Sequence, residues 1–144
     1  MPGAAGTGTG PVDPGSDEFA LFMQSGHQIG QEVQSLEKQE RFGESEPLHR
    51  RLVEQGKACL VAAGTAESTL TRDLVAMATR QYYKHRLDLG YCLICQVKTG
   101  EGLPLLREVL AWYKQTLGRE HPDTLAASVY LAQGLAGSGT IRQL

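Results

Sequence analysis

Two cysteines, Cys92 and Cys95, form the one short motif in this chain whose residue types alone suffice for chemistry. A Cys-x-x-Cys pair serves as a dithiol redox couple or as half of a zinc site. Redox pairs sit at exposed helix N-termini, where the dipole lowers a thiol pKa, whereas Cys92-Leu93-Ile94-Cys95 falls inside an apolar helical run. A zinc site needs four ligands at suitable spacing, and no second Cys-x-x-Cys or His pair accompanies this one. The plainer reading is two small apolar residues packed in a helix interface, with no metal and no cofactor expected. A thiol or zinc protein built on Cys92 and Cys95 stands as the alternative.

Other chemistry-bearing types have structural readings. His121 precedes Pro122 at a helix start and has no paired Ser or Cys nucleophile, so capping accounts for it. His27, His49 and His85 are isolated in sequence and expected to be exposed. The pairs Glu44/Glu46 and Glu37/Glu40 fit solvated helix faces rather than acid–base catalysis. Arg72, Arg80, Lys84, His85 and Arg86 are interrupted by Asp73 and Asp88, which again reads as a solvated face. Gly6-Thr7-Gly8-Thr9-Gly10 lacks the preceding strand and following Gly-Lys-Ser/Thr of a phosphate loop. A formal net charge of -2 sets up no field for nucleic acid or an anionic membrane, so neither is an expected partner.

The elements around these residues read as helices. Aromatics are scarce at 6%, and β-branched residues mostly stand singly, not in alternation. Residues 1–15 carry a Gly/Pro-rich composition that cannot build a core and are expected to be a disordered leader, with an ordered domain over 16–139 and a flexible tail over 140–144. A first helix is expected from Ser16, with Phe19, Phe22, Ile29, Val33 and Leu36 on its apolar side. Ser45-Glu46-Pro47 offers a capped start for the second, which Gly64 should end in the left-handed conformation. From Ser68, Leu70, Leu74, Ala78, Tyr82, Leu89, Leu93 and Val97 predict one long helix, or two joined around Lys84 to Leu87. Pro104 and Pro122 mark the starts of two more, Gly118 ends the fourth, and Gly134, Gly137 and Gly139 dissolve the pattern of the fifth. The fold class is all-α, antiparallel helix pairs in a stack. Three cysteines, an odd and scattered number, suit a reducing compartment, cytoplasmic or nuclear, and neither a secretion signal nor a membrane span is expected.

The chain also repeats itself. Leu89-Gly90 with Leu93 is matched 42 residues later by Leu131-Ala132 with Leu135, and the segment Gly43 to Leu48 is matched 57 residues later by Gly100 to Leu105. Arg41-Phe42-Gly43-Glu44-Ser45-Glu46-Pro47-Leu48 and Leu117-Gly118-Arg119-Glu120-His121-Pro122-Asp123-Thr124-Leu125 resemble the long tetratricopeptide repeats of kinesin light chains. The Gly-x-x-His-Pro loop also resembles the helical C-terminal region of SET-MYND methyltransferases, whose SET domain and MYND finger are missing here. That makes a non-catalytic fragment of such a protein a further alternative.

The tetratricopeptide resemblance implies a short right-handed superhelix whose inner groove binds a protein or peptide, hence an adaptor or scaffold rather than an enzyme. On matching positions it places Lys84, Leu87, Asp88, Tyr91, Ile94 and Cys95 in the groove, followed by Val129, Tyr130 and Gln133. Where the family often has paired asparagines, this chain has Leu87-Asp88 and Val129-Tyr130. The last helix arrives without the partner that should follow, so its apolar side is expected to dock back, meet another protein or form a homodimer.

Overall fold

A computed structural model describes residues 14–65 and 68–137. Among the described residues five helices follow one another: α1 (Pro14–Lys38), α2 (Phe42–Ala63), α3 (Arg72–Cys95), α4 (Thr99–Leu117) and α5 (Pro122–Gly137). Each packs on the next, and α3 also meets α5, which is the all-α stack of antiparallel pairs that the periodicity predicts. None of the described helices is long and apolar enough to cross a membrane.

The helix ends differ from the expected ones for identifiable reasons. Helix α2 starts at Phe42, three residues before the expected Ser45 cap, because Glu40 at φ 57° has already turned the chain and Arg41 takes the cap position. Ser45 is thereby drawn into the interior and caps nothing. The stop at Gly64 occurs at φ -83° and not in the left-handed region; the Thr65 hydroxyl donates to the Ala62 carbonyl instead. Helix α3 runs unbroken through Lys84 to Leu87, capped by Thr71, whose hydroxyl accepts from the Leu74 N–H at 3.2 Å. Gly118, at φ 92°, ends α4 as expected. Helix α5 continues through Gly134 to Gly137, since Gly134 is buried against Leu103 and Ile94 and makes a close contact instead of a break.

The repeat of 57 residues is a repeat of backbone geometry. Val97, at φ 61°, turns the chain as Glu40 does at φ 57°, and the cap residues Arg41 (φ -95°, ψ 61°) and Lys98 (φ -92°, ψ 58°) coincide. Arg41 N–H donates to the Leu36 carbonyl and Lys98 N–H to that of Leu93, closing the two turns identically. Pro47 and Pro104 then fall at the same place in the second turn of their helices, opposite Gly43 and Gly100, which are both exposed, so the carbonyls that lose a donor are not sealed from solvent.

The core lies along these contacts. Phe22, Cys59 and Ala78 close one end, Ile29, Val33 and Leu52 bind α1 to α2, and Leu87, Leu106, Val109, Leu110, Tyr113 and Ala127 join α3, α4 and α5. Gly90 and Gly102 allow α3 and α4 to approach: a Cβ on Gly90 would lie 2.6 Å from Leu106, and one on Gly102 3.2 Å from the Gly90 carbonyl oxygen.

Candidate functional site

Because α1 and α3 flank one side of α2, and α3 and α5 one side of α4, the odd-numbered helices share a face. Three clefts follow it. The largest, about 590 Å³, lies between α3 and α5 and is lined by Met77, Arg80, Lys84, Tyr113 and Asp123 among others. Two smaller ones, about 280 and 300 Å³, lie between α1 and α3, the first over Phe22 and His27, the second beside Gln34, Glu37 and Asp88. Lys84 borders two of the three.

The groove's charges are largely paired. Arg80 bonds Asp123 at 3.0 Å, Lys84 bonds Asp88 at 3.0 Å, and on the outer side Arg86 bonds Glu108 at 2.8 Å. Desolvation works against the Lys84 charge, but Asp88 and Asp123 together keep its pKa above the ordinary lysine value. Beyond Asp88 the surface turns aromatic: Tyr91 packs on Tyr130 with ring centres 4.4 Å apart and meets Phe42 edge-on at 6.3 Å. A hydrogen bond with Cys95, together with partial burial, pushes the Tyr91 phenol up to about 12.

The sequence-predicted groove residues divide accordingly. Lys84, Asp88, Tyr91, Cys95 and Tyr130 share this side of the stack. Leu87 does not: it is 2% exposed, packed with Leu106 and Val109, and out of a partner's reach in the folded chain. Ile94 is likewise a packing residue, wedged against Gly102 and Gly134. Helical geometry puts both about 40–60° around α3 from Tyr91, on the flank away from Asp88 and Cys95 and toward α4. Val129 is 53% exposed and Gln133 is exposed, and both belong to the uncovered side of α5 with Leu125, also 53% exposed.

His121 performs the capping role expected of it, its Nδ1 accepting the Asp123 N–H at 3.1 Å. The cysteine pair separates by environment. Cys92 is buried against the α1–α2 junction, while Cys95 sits beside Tyr91. Burial pushes both thiols above the ordinary cysteine value, the opposite of what a redox couple needs.

The group that sequence spacing did not reveal lies where α1, α2 and α3 meet. Glu37 Oε2 accepts from Ser45 Oγ at 2.9 Å and from His49 Nε2 at 2.7 Å. Cys92 Sγ lies 3.4 Å from Ser45 Oγ and donates to the Phe42 carbonyl at 3.3 Å. The ligand atoms of Glu37, His49 and Cys92 all lie within 4.8 Å of one another. Neither His49 nor His85 is exposed, contrary to expectation; each is at most 8% accessible. His85 touches Phe22 edge-on at 5.5 Å, and burial, more than its charged neighbours, lowers its pKa to about 4. At the rim, Glu46 receives Lys98 at 2.9 Å, Arg50 and Gln96, and these bonds, Lys98 first, hold its carboxyl at about 2.

No family model, curated protein or solved structure matches the chain.

Proposed function

We propose that this chain is a non-catalytic protein-interaction module that holds an extended peptide, or an extended segment of a protein, along the face shared by α1, α3 and α5. The observation that carries the reading is the run of three clefts on that one face, continuous through Lys84 and followed by the Tyr91–Tyr130 pair. The tetratricopeptide resemblance of the loops supports it, since repeats of that kind bind along their inner helices.

The chemistry favours an occupant of mixed polarity and low net charge. Arg80 and Lys84 are each engaged with a carboxylate, so a strongly acidic ligand would have to displace Asp123 and Asp88 from their partners. Main-chain amides and carbonyls of an extended segment match this alternation of donors and acceptors, while Met77 and the two tyrosines offer apolar contacts. Leu87 and Ile94 contribute only by fixing the α3 axis. A reducing compartment, cytoplasmic or nuclear, is the setting that accords with three free thiols.

Selection of peptides from a displayed random library against the folded chain tests this reading. Selected peptides should bind the parent and lose at least about tenfold in affinity to the Lys84→Ala/Tyr91→Ala double variant, about 1.4 kcal/mol or more. Equal affinity for a double variant with an unchanged circular dichroism spectrum would remove this face from the binding site.

A further inference from the structure

The polar junction of α1, α2 and α3 has a counterpart. Adding 57 residues to Glu37, Ser45, Glu46 and His49 gives Ile94, Gly102, Leu103 and Leu106, and adding 42 to Cys92 gives Gly134. These are spatial as well as sequence equivalents. Ile94 meets Gly102 and Gly134, and Leu103 meets Gly134, much as Glu37 meets Ser45 and lies beside Cys92. The repeat therefore closes this corner with apolar and small residues in one unit and with a carboxylate, a hydroxyl, an imidazole and a thiol in the other. Packing alone does not call for the second set.

We propose that Glu37, His49 and Cys92 form a Zn2+ site, with its fourth position open to the cleft beside α1. A thiolate, an imidazole and a carboxylate are the donors zinc accepts in its four-coordinate sites. They come from three helices, and two of the three residues, His49 at 2% and Cys92 at 0% exposure, are buried. The cleft of about 300 Å³ is lined by Glu37 and His49 and provides both an approach for the ion and room for a water as fourth ligand. Zinc–ligand bonds of about 2.0–2.3 Å in a tetrahedron set donors roughly 3.3–3.8 Å apart. The 2.7 Å contact between Glu37 and His49 must widen to reach that spacing, and any donor pair lying farther apart, up to the 4.8 Å bound on the cluster, must close to it.

The charges balance on binding. Cys92 gives up its thiol proton to solvent as the S–Zn bond forms, and the proton on His49 Nε2 moves to Nδ1, leaving the Nε2 lone pair for the metal. One thiolate and one carboxylate then neutralise the dication, so the corner carries no net charge. His49 Nδ1 has no hydrogen-bond partner among the described residues, while Nε2 is held by Glu37. The ligand set uses Cys92 without Cys95, which separates it from a Cys-x-x-Cys zinc half-site.

The test uses the full chain, loaded with ZnCl2, desalted and analysed for metal, with affinity read by competition against a chromogenic chelator. The expected result is one zinc per chain, weakened more than about 100-fold by Cys92→Ser and unchanged by Cys95→Ser or Cys59→Ser. Substoichiometric zinc, or equal affinity in a folded Cys92→Ser variant, would overturn the site and leave a hydrogen-bonded corner only. If Cys92→Ser does not fold, Co2+ loaded into the parent decides: a thiolate-to-cobalt charge-transfer band supports the site, and its absence rejects it.

Discussion

At the corner of α1, α2 and α3 this chain places Glu37, Ser45, His49 and Cys92; at the corner of α3, α4 and α5 the same repeat positions hold Ile94, Gly102, Leu106 and Gly134. The turns leading into the two corners agree within a few degrees at both the left-handed residue and the cap. One backbone frame thus accommodates two chemistries. The contrast extends along α3 and α5, where His85 and Ala127 are equivalent by the step of 42 and both are buried. Apolar closure needs only close contact, which the glycines permit. Polar closure needs every donor matched, because an unmatched buried polar group costs about 1–3 kcal/mol. A unit that tolerates the more demanding solution is the place to look for a role beyond holding helices together.

The comparison can be broken first from the apolar side. Leu106→His copies His49 into a corner that has no carboxylate, removing a fully buried leucine and stranding an imidazole. A loss of about 3–5 kcal/mol is expected in urea unfolding, and a loss under about 1 kcal/mol would mean that the second corner accepts polar groups as readily as the first.

Acid sharpens the contrast from the polar side. His85 has its pKa lowered to about 4 by burial, with His49 and Lys84 adding to that effect and Asp88 opposing it. The unfolded chain therefore binds the extra proton first as pH falls. The stabilisation is complete above the ordinary histidine value of about 6.5 and is lost as pH falls toward 4, by roughly 2–3 kcal/mol. Replacing His85 by Ala, as at position 127, should flatten the stability curve between those pH values. An unaltered slope would place the acid sensitivity elsewhere.

How much of this was legible in the sequence follows from the range of each signal. Helices announce themselves locally: the apolar spacing from Phe19 to Leu36, the four-residue steps from Leu70 to Val97 and the prolines near the starts of α2, α4 and α5 located the five helices of the described residues. The loop matches that give Gly43 to Leu48 and Gly100 to Leu105 the same frame were visible as well. Caps were less so, because the turn at Glu40 lies in a left-handed φ that no glycine signals. Leu87 and Ile94 were placed in the groove by matching positions, and only packing against α4 and α5 shows them to be core. The Glu37–His49–Cys92 corner was hidden because its members lie on three helices, and each alone resembles a solvated glutamate, an isolated histidine and a small packing residue. The clue that was available is the repeat itself: aligning the first unit on the second sets polar residues against Ile94 and Leu106.

The central claim, that the fold does not require the polar corner, is tested most directly by rebuilding it on the pattern of the other. The variant Glu37→Ile, Ser45→Gly, His49→Leu and Cys92→Ala replaces the whole network at once and leaves no donor or carboxylate stranded. Equilibrium urea unfolding of the zinc-free variant should give a stability within about 1 kcal/mol of the parent, or higher, with an unchanged helical spectrum. A loss of more than about 3 kcal/mol, or failure to fold, would show that the polar residues are structural and contradict the account.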